Sequence, residues 1–384
     1  MRTKFPLRPS LSGSRTVAIV NSRALGYNLK QLIKASEAAH PALVGAVPMV
    51  KCNAYGHGLV AVAKKFRQNR KVVALGVATR AEAIELRESG ISEPIWVFSD
   101  SAPWGDELAG LVSRYRYTPI FHSIEDLRAA LAPRYKSLWK RCEFQVKFNT
   151  GMNRLGISVE DAGLVRRLVK RSKVRVAGVC SHLACADQPG NAVTRSQTSR
   201  FIEVARNFSN DTSYIHCSGT SAILHGKHLG LGALCNVVRP GIGLYGYAGK
   251  EGRSLQLKPA LKWVAQVLAR RDLKASECVG YGATCRLKSS ASQAIIGVGY
   301  GDGFKRILSN TKILVGRNGK RHAIDVLGRV SMDLTSLRLD LRPGSWVELL
   351  GTDIRQAEIM AKNAETIVYE LLTSISQRVP RVYT

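Results

Sequence analysis

Acidic residues are scarce in this chain. Against 57 lysines and arginines stand only 28 aspartates and glutamates, for a formal net charge of +29 over 384 residues. No cluster of carboxylates emerges, so a hard metal ion, which needs several oxygen ligands gathered together, is not expected. CxxC pairs are also missing. Cys52, Cys142, Cys180, Cys185, Cys217, Cys235, Cys278 and Cys285 stand apart, several inside apolar runs. That pattern argues against a zinc site or a disulfide framework and fits free thiols in a reducing cytoplasm. No apolar run is long enough to span a bilayer, so no membrane association is expected. The opening MRTKFPLRPSLSGSR has no acidic residue and lacks the apolar stretch of a secretory signal. It reads as a short arm, with an organelle-targeting peptide as the alternative. The basic residues are spread along the chain and not gathered in a block interleaved with aromatics. No specific nucleic-acid site is therefore expected. The charge reads as a solvated basic surface that attracts polyanions weakly and favours an anionic ligand.

What is present is alternation. Eight short apolar runs lie at 44–51 (VGAVPMVK), 72–78, 94–99, 117–121, 144–148, 174–180, 214–217 and 236–246, separated by helical patterns. In TRAEAIELRESG, Thr79 is placed to cap a helix, Glu82 to complete a capping box and Gly90 to end it. Ser123 and Asp126 repeat the start signal in HSIEDLRAAL. Strictly alternating strands and helices imply parallel strands with crossover helices, and eight such units fit a closed (β/α)₈ barrel of the TIM type. A doubly wound open sheet is the alternative. Beyond residue 250 the runs are short, β-like and split by Gly, Asp and Ser turns, as in AIIGVGYGDGF and SWVELLG. They predict a second, mostly-β domain, with TVAIVNS (16–22) a candidate to pair with it.

In such a barrel the chemistry gathers at the C-terminal ends of the strands. The first run ends on Lys51, in MVKCNAYGHG. The fifth carries Lys147 and leads to Arg154, the sixth leads to His182, the seventh to His216 and Thr220, and the eighth to Arg239. Each alone is an ordinary strand-end charge or core histidine, but together they form a cationic mouth that calls for an anion. Turns such as GTS (219–221) and PGIG (240–243) let backbone N–H groups approach a phosphate. A lysine at a strand end suits covalent attachment of an aldehyde. The combination points to pyridoxal 5′-phosphate.

At these residues the chain resembles the alanine racemases. VKCNAYGHG is similar to that family's cofactor-attachment signature, and NTGMNRLG, SHLACAD, VVRPGIGLYG, VGYGATCRL, VGYGDGF, GRVSMD and the closing RVPRVY fall in the family's order. The resemblance implies a (β/α)₈ barrel followed by a β domain, in a homodimer with shared active sites. The expected division is 1–22 as an arm and strand packing on the C-terminal domain, 23–250 as the barrel with the cofactor site, and 251–384 as the β domain that supplies a second base. By the same resemblance Lys51 holds the cofactor and moves one proton, and Tyr281 is the second base, given to the partner subunit's site. Arg239 faces the pyridine nitrogen, and His182 lies beside the ring. Tyr55, Thr220, the backbone of Gly241 and Ile242, and Tyr369 hold the phosphate. Arg154 lies near the ring oxygen and the substrate carboxylate, Met332 contacts that carboxylate through its backbone, and Tyr300 lines the entrance. Lys147 falls where many members carry a carbamylated lysine. Two departures stand out: Asn149 replaces a frequent aspartate, so the polar surroundings of Lys147 are expected to differ, and HCSGTS puts Gly219 where the family usually has asparagine.

The residue types suit racemisation of alanine, with supply of D-alanine for peptidoglycan as the implied role. Inversion needs a proton removed from one face and delivered to the other, which two fixed bases achieve without movement. Tyrosine ionises near pH 10 unless helped, and His182 or Arg154 would favour its phenolate. Arginine does not readily give up its proton, so Arg239 leaves the ring a shallower electron sink than an acid would. Decarboxylases of similar build use an acid there and are usually longer. Non-catalytic carriers of the same cofactor lack the β domain. A racemase of broad specificity on the same scaffold is the nearest alternative.

Overall fold

The computed structural model describes residues 13–249, 251–317 and 319–384; most of the N-terminal arm lies outside them. Eight parallel strands close into a barrel. They are Gly45–Ala46, Leu75–Val77, Ile95–Val97, Thr118–Phe121, Gln145–Asn149, Gly178–Cys180, Tyr214–His216 and Val237–Val238, called here the first to eighth barrel strands. The second to seventh form one continuous parallel ladder, and the eighth pairs with the first. The ring closes at two seams. Isolated bridges Ala46–Val72 and Met49–Gly76 join the first strand to the second. Asn236 N–H donates to Ile215 O at 3.0 Å and Arg239 N–H to Ser218 O at 2.8 Å, joining eighth to seventh.

Each apolar run of the barrel series holds one strand, the fifth passing the end of its run by one residue, but the first and eighth are far shorter than their runs. Pro48 and Pro240 are the reason, since a proline offers no N–H to a ladder. After Pro240 the chain turns into a 3₁₀ segment, Ile242–Tyr245. The helices begin where the capping signals lie. Thr79 caps Arg80–Glu88 with Glu82 closing the box, Gly90 sits at φ +81°, and Ser123 caps Ile124–Ala130. Val47, Ala74, Trp96, Ile120, Cys180 and Val237 fill the barrel interior.

The second domain is built on one 13-residue strand, Leu261–Leu273. It pairs antiparallel with Ala291–Ile296 and Trp346–Leu350, bulging at both junctions so that it serves two sheets. It also pairs with Thr16–Val20, which in turn lies parallel to Arg381–Tyr383. Strands near both ends of the described residues are thus woven into this domain. Two helices, Ile354–Asn363 and Val368–Thr373, interrupt its β character. Asn28 fastens the domains together: its Nδ2 donates to Leu244 O at 3.0 Å and Lys258 O at 2.8 Å, and its Oδ1 accepts from Lys258 N–H. No helix among the described residues is long and apolar enough to cross a membrane, and all eight thiols are free.

Candidate active site

Lys51 does not extend its strand. It opens a tight turn, Lys51–Tyr55, in which Cys52, Asn53, Ala54 and Tyr55 all take φ between 51° and 53°. Four successive non-glycine residues in the left-handed region cost roughly 1–2 kcal/mol each, so other contacts must hold them there. Cys52 N–H donates to Glu82 Oε1 at 2.6 Å, and Leu59 N–H donates to Asn53 Oδ1 at 2.8 Å. From the far end of the chain, Arg381 Nε donates to Gly56 O at 3.1 Å and Tyr383 Oη to His57 O at 3.1 Å. Gly56 is pressed against Leu372, whose carbonyl oxygen would lie 2.2 Å from a Cβ there. His57 Nδ1–H donates to Tyr55 O at 2.9 Å, and Tyr245 stacks on Tyr55 with ring centres 4.7 Å apart. The turn therefore presents Lys51 and Tyr55 on one rigid piece.

Tyr55 faces an anion cradle. Thr220 Oγ1 accepts from Gly241 N–H at 2.9 Å and Gly243 N–H at 3.3 Å. A Cβ on Gly241 would lie 2.8 Å from Tyr55 Oη; only glycine leaves that space open. Neither Tyr55 Oη nor Ile242 N–H has a protein partner among the described residues. Burial, with Tyr369 and Cys52 nearby, pushes the Tyr55 phenol up, so it stays a hydroxyl donor. Tyr369, from Val368–Thr373, brings its ring within 6.1 Å of Tyr55.

Arg239 is the fixed point of the mouth. It is 5% exposed, and among the described residues no carboxylate holds it. Its terminal nitrogens donate to His216 Nδ1, to His216 O at 2.8 Å, to Ser181 O at 2.7 Å, to Cys217 O at 3.3 Å and to His182 Nδ1 at 3.3 Å. Its Nε–H has no acceptor among the described residues. Arg239, Lys147, Arg154 and Lys51 all act on His182, whose imidazole is held down to about 3 by burial first and these cations after. His182 is therefore neutral and does not supply the positive charge expected of it. Lys147 is buried, and its amine is pushed down chiefly by burial; the Cys180 thiol opposes this, and Arg239, Arg154 and Lys51 lower it further. Asn149 turns its amide into its own loop, where Oδ1 accepts from Gly151 N–H at 3.1 Å and Asn153 N–H at 3.0 Å. It shapes the loop that carries Arg154 and leaves Lys147 without a polar partner from that side chain. Gly219 begins the helix Thr220–Leu224, and a Cβ there would meet His182 Cε1 at 3.6 Å, an ordinary contact.

Three candidates stay apart. Tyr281 is 71% exposed, Met332 52% and Tyr300 42%, all on the second domain. Tyr281 sits in the 3₁₀ turn Tyr281–Ala283, with Arg329 packed beside Gly282. Tyr300 and Met332 share one knot: Tyr300 N–H donates to Ser331 O at 3.0 Å and Gly301 N–H to Met332 O at 2.9 Å. Beneath it Arg378 bridges buried Asp302 at 2.8 Å and Asp333 at 2.8 Å, and Arg15 reaches both. Sequence reasoning missed this four-residue network, although VGYGDGF and VSMD each carry one of the aspartates. It also missed Tyr245, Gln145 and the clamp by Arg381.

The histidines set a pH prediction. His57 is held at about 4 by burial, offset in part by its bond to Tyr55 O, and His182 at about 3. Burial also lowers His40, His122 and His216. In the unfolded chain these imidazoles take up protons as pH falls through about 6.5. Below that value the unfolded state binds more protons than the folded one. The stabilisation is full above about pH 6.5 and is lost as pH falls towards about 4. The melting temperature should hold on the neutral side and decline steadily through that window. A flat profile through it would show that these histidines find partners on charging.

Residues 20–249 match the family described as alanine racemase, N-terminal domain, and residues 260–383 the one described as alanine racemase, C-terminal domain. The chain is 34% identical over 380 residues to the alanine racemase of Coxiella burnetii (strain CbuK_Q154), across 95% of this chain and 98% of that one. To that of Hahella chejuensis it is 33% identical over 381 residues, across 95% and 97%. Among solved structures, alanine racemase from D-cycloserine-producing Streptomyces lavendulae superimposes with a TM-score of 0.83 at 28% identity, across 97% of each chain. That from Bartonella henselae, solved with covalently bound pyridoxal phosphate, gives 0.81 at 26% identity, across 97% of this chain and 100% of that one.

Proposed function

This chain belongs to the alanine racemase family, and on that footing we propose that it interconverts L- and D-alanine with pyridoxal 5′-phosphate, using Lys51 and Tyr281 as opposed acid–base groups. The observation that carries the reading is Arg239, a buried guanidinium held by carbonyls and two neutral histidines, with its Nε–H left over, at the same mouth as Lys51. The residues fit the cofactor. Tyr55, Thr220, Tyr369 and the N–H groups of Gly241 and Ile242 would hold its phosphate in the space that a side chain at 241 would fill. Lys51 would hold its aldehyde carbon, His182 would lie along the ring and Arg239 would face the ring nitrogen. When bound, the cofactor supplies a conjugated ring that draws electrons from the substrate's α-carbon and so acidifies its proton.

The chain's own groups do the rest. Arg154 pairs with the substrate carboxylate and sets the α-carbon between two bases. Lys51 Nζ takes or returns the proton on one face. On the other face Tyr281 of the partner subunit does the same through its phenol oxygen. Arg239 keeps its own protons, so the ring nitrogen gains none from it and carbanion character stays brief. Lys147, an amine with a lowered pKa in a carboxylate-poor pocket, is suited to add to carbon dioxide, releasing one proton to water, and so form a carbamate that orients Arg154. The role we assign to the product is D-alanine for peptidoglycan, made in the cytoplasm. Chiral chromatography of amino acids incubated with the purified protein, with and without cofactor, tests the reaction. Racemisation of alanine that needs the cofactor is the expected result, and turnover of other amino acids but not alanine would overturn it.

Support for a shared site comes from Tyr281, Tyr300 and Met332, which stand exposed on the second domain and make no hydrogen bond or ring contact with the barrel mouth among the described residues. The homodimer this implies is testable by complementation. Mixing Lys51→Ala and Tyr281→Phe subunits should restore up to about half of one dimer's activity, because one of its two sites then has both bases. Absence of rescue in a proven mixed dimer would mean each chain builds its site alone.

A further inference from the structure

We propose that Gln145 is a positioning residue: its side-chain oxygen fixes His216 as the Nε2–H tautomer, which leaves Nδ1 free to accept from Arg239. The proposal rests on the reading of Arg239 as the partner of the ring nitrogen.

The protons follow from one group that cannot change role. A guanidinium only donates. Arg239 Nη1 points at His216 Nδ1, so Nδ1 must be the acceptor. The single proton of a neutral imidazole is then on Nε2. Nε2 lies 2.6 Å from Gln145 Oε1, so residue 145 must accept. With the amide turned the other way its NH₂ would face Nε2–H, donor against donor. The register of the amide, the tautomer of the imidazole and the aim of the guanidinium are therefore one linked choice.

The barrel is shaped to hold that choice. Gln145 and Lys147 are two residues apart on the fifth strand and share its inner face, Lys147 at the mouth and Gln145 one layer below. Gly178 pairs with Gln145 on the next strand. A Cβ on Gly178 would come within 3.0 Å of Gln145 Oε1 and 2.8 Å of Tyr214 O, so glycine keeps the amide's place open. Trp96 stacks on His216 with ring centres 4.9 Å apart, and Phe98 lies under the Arg239 guanidinium at 5.5 Å. His216 and Gln145 are fully buried, and burial with Arg239 beside it holds the imidazole neutral.

The neutrality of residue 145 matters. A carboxylate in its place would accept the same bond but would favour a second proton on His216. Imidazolium Nδ1–H would then oppose Arg239 Nη1–H, and the guanidinium would lose an acceptor and turn. A neutral oxygen anchors the imidazole without charging it.

Neutron diffraction from the deuterated wild-type protein tests the tautomer without reference to turnover. The expected density has a deuteron on His216 Nε2 and none on Nδ1; a deuteron on Nδ1 overturns the proposal. In Gln145→Glu the same measurement should find both nitrogens protonated. Its kcat for alanine should fall about 10- to 100-fold with KM little changed, the usual cost of disturbing a group that orients a working residue. A Gln145→Glu protein with wild-type kcat, or with His216 still singly protonated, also overturns it. Borohydride labelling of Lys51 reads the cofactor assignment separately. If no cofactor is trapped there, that reading fails whatever the state of His216; if it is trapped and His216 carries Nδ1–H, the positioning role alone fails.

Discussion

Lys51→Ala protein should lose racemisation almost completely, by more than the hundred- to ten-thousand-fold typical of a single acid–base group, because in the proposed mechanism Lys51 both attaches the cofactor and moves a proton. The competitor for attachment is Lys147, a buried amine whose pKa is lowered by that burial and which on reactivity alone would be a good nucleophile. Position decides for Lys51. It lies four residues before Tyr55 on one left-handed turn, pinned by Glu82, Arg381 and Tyr383, so attachment and phosphate cradle are set by the same rigid piece. The purified protein should be yellow, and borohydride should fix the cofactor on the peptide containing Lys51. Label on the Lys147 peptide, or full activity in Lys51→Ala, would defeat the assignment. Lys51→Arg keeps the charge but offers no free amine, and should be as inactive.

Tyr281→Phe should damage the two half-reactions unequally. The substitution removes a hydroxyl and keeps the ring, and Tyr281 is 71% exposed in the single chain, so folding and cofactor content should survive. If Tyr281 serves the proton of L-alanine and Lys51 that of D-alanine, single-turnover exchange with deuterated solvent should fall about a hundred- to ten-thousand-fold from L-alanine. Exchange from D-alanine should persist. Net racemisation must vanish in both directions, since no catalyst can act one way across an equilibrium. Equal loss of both initial exchange rates, with cofactor still bound, would refute the two-base assignment.

The barrel and its mouth were legible in the chain because both are local. Each strand run holds its strand to within one residue, each capping signal its helix start, and the residues at strand ends share one rim by the geometry of parallel strands alone. Lys51, Lys147, His182, Thr220 and Arg239 were found in this way. The roles of Tyr55 and Tyr369 came from resemblance, and only the fold shows their rings 6.1 Å apart across more than three hundred residues of chain. The tertiary structure alone decided the rest. It put four left-handed residues after Lys51, three of them types that rarely take that conformation, and it holds them through Glu82, Asn53 and the C-terminal strand. It made His182 neutral, since a histidine's charge depends on burial and on cations that arrive from other strands. It joined Gln145, His216 and Arg239 from three strands into one chain of donors and acceptors. Sequence spacing determines which face of a strand a residue takes; which groups then meet, and with which protons, is settled only where separate strands bring them within hydrogen-bond reach.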